Sequence, residues 1–374
     1  MFIQTINICR MKKISLFIIA IIAAAQLKAQ TKTQNIIVVT LDGFRWQELY
    51  RGADSALINS KFTSDKNGIT KKFWAPTAQE RRKMLLPFFW DVIAQKGQLY
   101  GDRDEGNKDE VANTYKFSYP GYNEIFTGFP DIRINSNDDV PNPNVNIFEY
   151  LSKQKGFENR VAVFSSWQLF PAILNTKRSG LPVNSGYTNF DDPKASERLK
   201  YLNEIQHKVP EIIGPDERLD FLTFEFGFEH LKQYKPRVLV LGFDETDDLA
   251  HEGNYQFYLQ SAHKEDGFLG QLWQYIQTDP QYKDKTTLII TCDHGRGDVP
   301  LENWKTHGTD TPNSEQTWFA VIGPDTPPTG VIKTPTTTYH KQLAQTIGKL
   351  MGFDFKAGAG HEVGDAIGTV TGNK

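Results

Sequence analysis

The segment RVLVLGFDETDDLAH, residues 237–251, changes character in its middle. Residues 237–243 are apolar almost throughout, without polar alternation, which is the pattern of a strand buried on both faces of a parallel sheet. The residues that follow include Asp244, Asp247, Asp248 and His251. Asp247 and His251 stand four apart, so on one helical turn they share a face. As an isolated pair this spacing is common on solvated helices. At the carboxyl end of a buried strand it matters more, because open α/β sheets bind ligands there.

Outward from this segment the same kind of run recurs. NIIVVTL (35–41), RVAVF (160–164), TTLIITC (286–292) and TWFAVIG (317–323) are all short and rich in β-branched residues. Helical periodicities separate them at 81–97, 145–156, 266–277 and 339–352. Strand then helix, repeated, predicts an α/β fold with a doubly wound, mostly parallel sheet. Neither a repeat nor a low-complexity linker divides the chain, so residues 30–374 are expected to form a single domain with loop insertions. The polar stretches 102–113 and 176–194 are expected to be long surface loops of that domain.

Composition narrows the class. A net charge of -3 over 374 residues, with both signs mixed along the chain, provides no basic field for a phosphate backbone, which excludes nucleic acid as a structural partner. Residues 11–30, MKKISLFIIAIIAAAQLKAQ, have a basic start, an apolar run from 14 to 25 and a small residue at Ala29. This is the layout of a secretory signal peptide over residues 1–29, and it predicts a periplasmic or secreted protein. The apolar run falls short of the roughly 20 residues of a spanning helix, so no stable membrane anchor is expected after cleavage. Cleavage also removes Cys9, leaving Cys292 without a disulfide partner.

The remaining strand ends carry the same signal. NIIVVTL runs into Asp42 of LDG, TTLIITC runs into Asp293-His294-Gly295, and THG follows with His307. Each has an ordinary explanation alone: an Asp after a strand caps a helix, and a lone His is a surface or core histidine. Together, carboxylates and imidazoles at the ends of separate strands suit zinc or a similar ion. KFSYPGYNEIFTGFP (116–130) then gains a second reading. Pro120 near a first helical position and Gly128 with Pro130 as a stop predict a short helix, with Ser118 at the capping position before it. There Ser118 is either a cap or a nucleophile activated by neighbouring ions at an anion-binding helix start.

These residues, in this order, resemble the alkaline phosphatase superfamily and within it the nucleotide pyrophosphatase/phosphodiesterase branch. The resemblance rests on an apolar strand ending LDG, Ser118 followed by x-P and by Thr127-Gly128, Asp247 with His251, Asp293-His294-Gly295, and His307-Gly308. It implies an alkaline phosphatase-like fold and two divalent ions, zinc or manganese. Asp247, His251 and His307 would hold one, and Asp42, Asp293, His294 and the Ser118 oxygen the other. It implies hydrolysis of a small-molecule phosphate ester through a phosphoseryl enzyme, with Asn137 (or Asn135) holding a phosphate oxygen.

The departures are informative. The branch usually has threonine where this chain has Ser118. A sulfatase would have arginine where Tyr122 stands, which argues against sulfate esters. Monoesterases add basic residues for the second phosphoryl charge, and only Lys177 or Arg178 offers one here. Trp167, Phe170, Trp304 and Tyr122 are candidates to stack on a leaving group or to pack under loops. The expectation is an exported phosphoric ester hydrolase, with phosphodiesters or nucleotide pyrophosphates ahead of monoesters. The alternatives are a broad phosphomonoesterase and a non-catalytic protein that binds phosphorylated or sulfated glycans.

Overall fold

Strands β1 (Asn35–Leu41), β6 (Val238–Phe243) and β7 (Thr286–Thr291) are parallel neighbours, with Val38 opposite Val240 on one side and Ile289 on the other. The computed structural model describes residues 31–372, so the expected signal peptide, residues 1–29, lies outside the described part of the chain. Every residue of these three strands is buried. Because side chains alternate along a strand, Ile37, Val39 and Leu41 enter one hydrophobic core, while Ile36 and Val38 enter another on the opposite face. Two layers of helices covering one sheet follow from that pattern.

The sheet extends on one side to β4 (Val161–Ser165) and β5 (Val183–Ser185), which continue the parallel arrangement. On the other side stand β9 (Phe319–Ile322), β2 (Gln98–Tyr100) and β10 (Gly330–Val331), completing the order β10-β2-β9-β7-β1-β6-β4-β5. β9 is antiparallel to β7 and to β2. Its run looked like the others in sequence, but the segment between β7 and β9 holds the short 3-10 turn Leu301–Lys305 and the two-residue strand Gln316–Thr317, not a crossover helix. Without a crossover, the chain returns in the opposite direction.

Both stretches expected to be loops carry strands. Residues 102–113 contain β3 (Lys108–Glu110), which with β8 (Gln316–Thr317) and β11 (Thr337–Tyr339) forms a separate three-stranded sheet. Its polar sequence hid it: Asp109 is fully buried because His340 Nε2 lies 2.8 Å from its carboxylate. Residues 176–194 contain β5, an edge strand of three residues. The expected helix at 81–97 is broken after Ala78–Leu85, just before Pro87, and resumes through a wider turn over Phe89–Ile93. The helix Asp220–Tyr234 leads into β6, and Tyr255–Thr278 leads back toward β7. No helix among the described residues is long and apolar enough to cross a membrane.

Candidate active site

Because β1, β6 and β7 are parallel and in register, Asp42, the residues after Phe243, and Asp293-His294 emerge at the same sheet edge. Two glycines permit the close approach this requires. Gly43 has a φ of +57°, and a Cβ there would stand 2.5 Å from Asp247 Oδ1; its own N–H donates to Asp293 Oδ1 at 3.0 Å. Gly121, in the helix Ser118–Thr127, lets that helix rest against the backbone of Asp293, whose carbonyl oxygen would lie 2.4 Å from a Cβ. The helix therefore presents its first residue to the strand ends.

Ser118 is that first residue, one position further into the helix than expected. Phe117 occupies the capping position, and no side chain caps the helix from there. The Ser118 hydroxyl is therefore not consumed by capping. Its Oγ lies 3.3 Å from His294 Nε2. The N–H of Tyr119 is taken by Asn137 Oδ1 at 3.0 Å, which brings Asn137 to the helix start beside Ser118.

Around His294 Nε2 the contacts have one length. Ser118 Oγ is 3.3 Å away, and Asp42 Oδ1 and Asp293 Oδ2 are each 3.4 Å away. Ligands 2.0–2.2 Å from a tetrahedral ion stand roughly 3.3 Å from each other. Asp42 Oδ1 and Asp293 Oδ2 are also buried without a hydrogen-bond partner, an arrangement that otherwise carries a desolvation penalty. The group Asp42, Asp293, His294 and Ser118 fits a single cation.

A second group lies against the first. Asp247 Oδ2 is 3.0 Å from His251 Nε2, which is 2.9 Å from His307 Nε2. Asp247 Oδ1 is 3.6 Å from His307 Nε2 and 3.7 Å from His294 Nε2, so Asp247 links the two groups. The His294 and His307 rings stack with centroids 3.8 Å apart. His251 is exposed and marks the mouth of the site.

The titration of these groups records how negative the pocket is. Burial, then the Asp42 charge, pushes the Asp293 carboxyl well above the usual carboxylate range. Burial works against a proton on His294, but Asp293, Asp42 and Asp247 outweigh it and raise the ring to about 9. Burial and the nearby His294 charge hold His307 well below the ordinary imidazole value. Burial opposes the Asp247 anion, yet Arg296, His307 and His251 hold its carboxyl well below the usual range. The positive charge facing these carboxylates comes from the His294 ring and the Arg296 guanidinium.

Two side chains have a part in this geometry that the sequence did not show. Arg296 is fully buried and donates to Asp247 Oδ1 and to the carbonyls of Trp304 and Lys305, tying the His307 loop to Asp247. Its signal was its place immediately after DHG. Tyr122 was a stacking candidate, but it is buried and donates to Asp42 Oδ2 at 2.9 Å. Phe170 and Trp304 are fully buried in the two cores and cannot meet a ligand; Trp167 alone of the four is partly exposed, with its ring centroid 6.3 Å from that of Tyr122. Arg178 is held away from the site by Glu149 and by the carbonyls of Asn142, Pro143 and Asn144, and Lys177 beside it is exposed.

Known proteins resemble the chain in family and in fold. The sequence model of the type I phosphodiesterase / nucleotide pyrophosphatase family matches residues 58–350. No curated protein matches the chain. Among solved structures, the wild-type alkaline phosphatase PafA is similar with a TM-score of 0.58 at 10% identity, covering 92% of this chain and 100% of that one. The lipoteichoic acid synthase LtaP from Listeria monocytogenes gives 0.56 at 14% identity, covering 90% of this chain and 76% of that one. The phosphonate monoester hydrolase of Agrobacterium radiobacter gives 0.55 at 11% identity, covering 91% and 78% respectively. The fold is thus that of the metal-dependent alkaline phosphatase superfamily, and the match over residues 58–350 decides the branch: the chain belongs to the type I phosphodiesterase / nucleotide pyrophosphatase family and is a phosphoric ester hydrolase.

Proposed function

We propose that the protein is an exported hydrolase of small-molecule phosphodiesters or nucleotide pyrophosphates that uses Ser118 as its nucleophile. The observation that carries this is the placement of Ser118 Oγ, 3.3 Å from His294 Nε2 at a helix start whose cap does not use the hydroxyl. In this reading Asp42, Asp293, His294 and Ser118 hold one divalent ion, and Asp247, His251 and His307 hold a second, with zinc favoured by the mixed imidazole and carboxylate donors. Bound there, the ions would lower the pKa of the hydroxyl and of water and screen the charge of the phosphoryl oxygens.

The chain's own residues do the rest. Ser118 Oγ forms the bond to phosphorus as the bond to the leaving oxygen breaks, giving a phosphoseryl enzyme that water hydrolyses. Asn137, anchored through its oxygen to the Tyr119 N–H, turns its amide nitrogen to a phosphate oxygen. Diesters are favoured over monoesters because the cationic side chains near the site have other partners. Arg296 is bound to Asp247, Arg178 is turned to Glu149, and Lys116 pairs with Glu315 at 3.1 Å. A monoester dianion would meet no spare guanidinium or ammonium among these.

The test compares a phosphate diester, a phosphate monoester and a sulfate ester with one chromogenic leaving group. Diester turnover should exceed monoester turnover, and both should fall at least a thousandfold in Ser118→Ala while the variant keeps its metal. Substantial turnover surviving in Ser118→Ala would sink the covalent route.

A further inference from the structure

Beside the two histidine-containing groups lies a third cluster with no histidine. Glu217, Asp244 and Asp248 each bring a carboxylate oxygen within 4.8 Å of the others. Asp244 directly follows β6 and precedes the helix Glu245–His251, and Asp248 lies one turn further along. Glu217 comes from a different part of the chain. Its backbone is bridged to Trp167, and the next residue's N–H donates to the Ser166 carbonyl at 2.9 Å, so the ends of β4 and β6 fix the spacing.

Acidic patches are common, but two features set this one apart. An aspartate in the capping position ordinarily accepts a hydrogen bond from the first helical turn. Asp244 occupies that position and makes no such bond. Among the described residues no hydrogen bond or ion pair reaches its carboxylate, although the residue is only 7% exposed and the carboxylate points into the cluster. Asp248 Oδ2 is likewise buried without a partner. For that Asp248 oxygen, nothing in the protein replaces the water it loses.

The second feature is that, among the described residues, no lysine, arginine or histidine forms an ion pair with Glu217, Asp244 or Asp248. Arg218 adjoins Glu217 in sequence, but its guanidinium donates to Thr223 Oγ1, Asn184 Oδ1, Gln206 Oε1 and the Ser165 carbonyl. Arg296 is turned to Asp247.

We propose that Glu217, Asp244 and Asp248 hold a further divalent cation, separate from the Ser118 and His307 groups. The donors are carboxylate oxygens alone, which selects a hard ion such as magnesium, calcium or manganese over zinc. Glu217 is partly exposed and forms the entry side; Asp244 is the buried end. The cation joins the loop at Glu217 to the start of the helix that carries Asp247 and His251. None of its three ligands belongs to the proposed hydrolytic site, so either assignment can fail without the other.

The experiment uses the full chain loaded with zinc and freed of excess. Manganese(II) is titrated in and counted by electron paramagnetic resonance, with zinc measured on the same samples so that exchange is recognised. Wild type should bind one manganese with its zinc content unchanged. Glu217→Gln should weaken that binding at least tenfold, again without loss of zinc, and should melt no lower than wild type when manganese is absent. No manganese beyond exchange, or equal binding in wild type and Glu217→Gln, overturns the assignment. Asp248→Asn gives a second reading, and Glu217→Gln, on a loop, still decides if that helix variant fails to fold.

Discussion

Tyr122 donates its hydroxyl to Asp42 Oδ2 at 2.9 Å, and the other oxygen of that carboxylate, Oδ1, is buried with no hydrogen-bond partner. One oxygen is fixed by the Ser118–Thr127 helix, which leaves the other for the cation proposed above. Tyr122→Phe removes only this bond, since the ring still packs between Phe126 and Phe170. Loss of such an orienting partner typically weakens metal affinity about 10- to 100-fold. Chelator competition should show that loss, with turnover recovering at saturating metal. Unchanged affinity would mean that backbone contacts such as the 2.6 Å bond from Thr246 Oγ1 to the Asp42 carbonyl hold the residue alone.

Arg296 and Asp247 form a buried ion pair. Arg296→Met leaves the Asp247 charge without its main counterpart, and breaking one side of a buried pair costs about 3–5 kcal/mol. A bound ion would supply the missing charge. Denaturant unfolding should therefore show a large loss in chelator and a smaller one with metal present. An equal loss in both states would assign Arg296 to packing of the His307 loop through the Trp304 and Lys305 carbonyls.

The pH dependence follows from His294. Its folded pKa of about 9 exceeds the unfolded value of roughly 6.5 because Asp293, Asp42 and Asp247 overcome its burial. A raised histidine contributes stability that is complete below the unfolded value and disappears as pH rises through the folded one. The chelated protein should thus melt progressively lower between about pH 6.5 and pH 9. Metal affinity should rise across the same window, because the ion replaces that proton. Melting curves with and without metal should diverge with pH, and parallel curves would place the titrating group elsewhere.

These pairs also separate what the sequence revealed from what it hid. Asp42, Asp247, His251, Asp293, His294 and His307 were readable because polar residues at the ends of apolar strands conflict with packing. The parallel register of β1, β6 and β7 then brings those ends together. Ser118 was readable as a helix start, but its freedom from capping depends on the backbone at Phe117. Arg296, the Tyr122 hydroxyl and Glu217 act across long sequence separations with no spacing rule. The direction of β9 was hidden for a related reason: it depends on a missing crossover helix and not on the strand's own residues. Asp109 and His340 show the same limit, being a fully buried pair 231 positions apart whose segments look like surface in isolation.

Two glycines in helices give opposite predictions from the same substitution. Alanine is favoured over glycine in a helix by about 0.5–1 kcal/mol where its methyl group has room. Gly267, in the helix Tyr255–Thr278, has nothing within 4 Å of where a Cβ would stand. Gly267→Ala should raise stability by about that amount and leave turnover unchanged. At Gly121 the same methyl would meet the Asp293 carbonyl oxygen at 2.4 Å, so the helix or the strand end must move. Such overpacking costs about 1–3 kcal/mol, and the movement falls on the residues around Ser118 and Asp293. Gly121→Ala should therefore lose metal affinity and turnover by more than its melting temperature alone predicts. If the two variants differ only in stability, the packing of the Ser118–Thr127 helix on Asp293 does not set the geometry of the site.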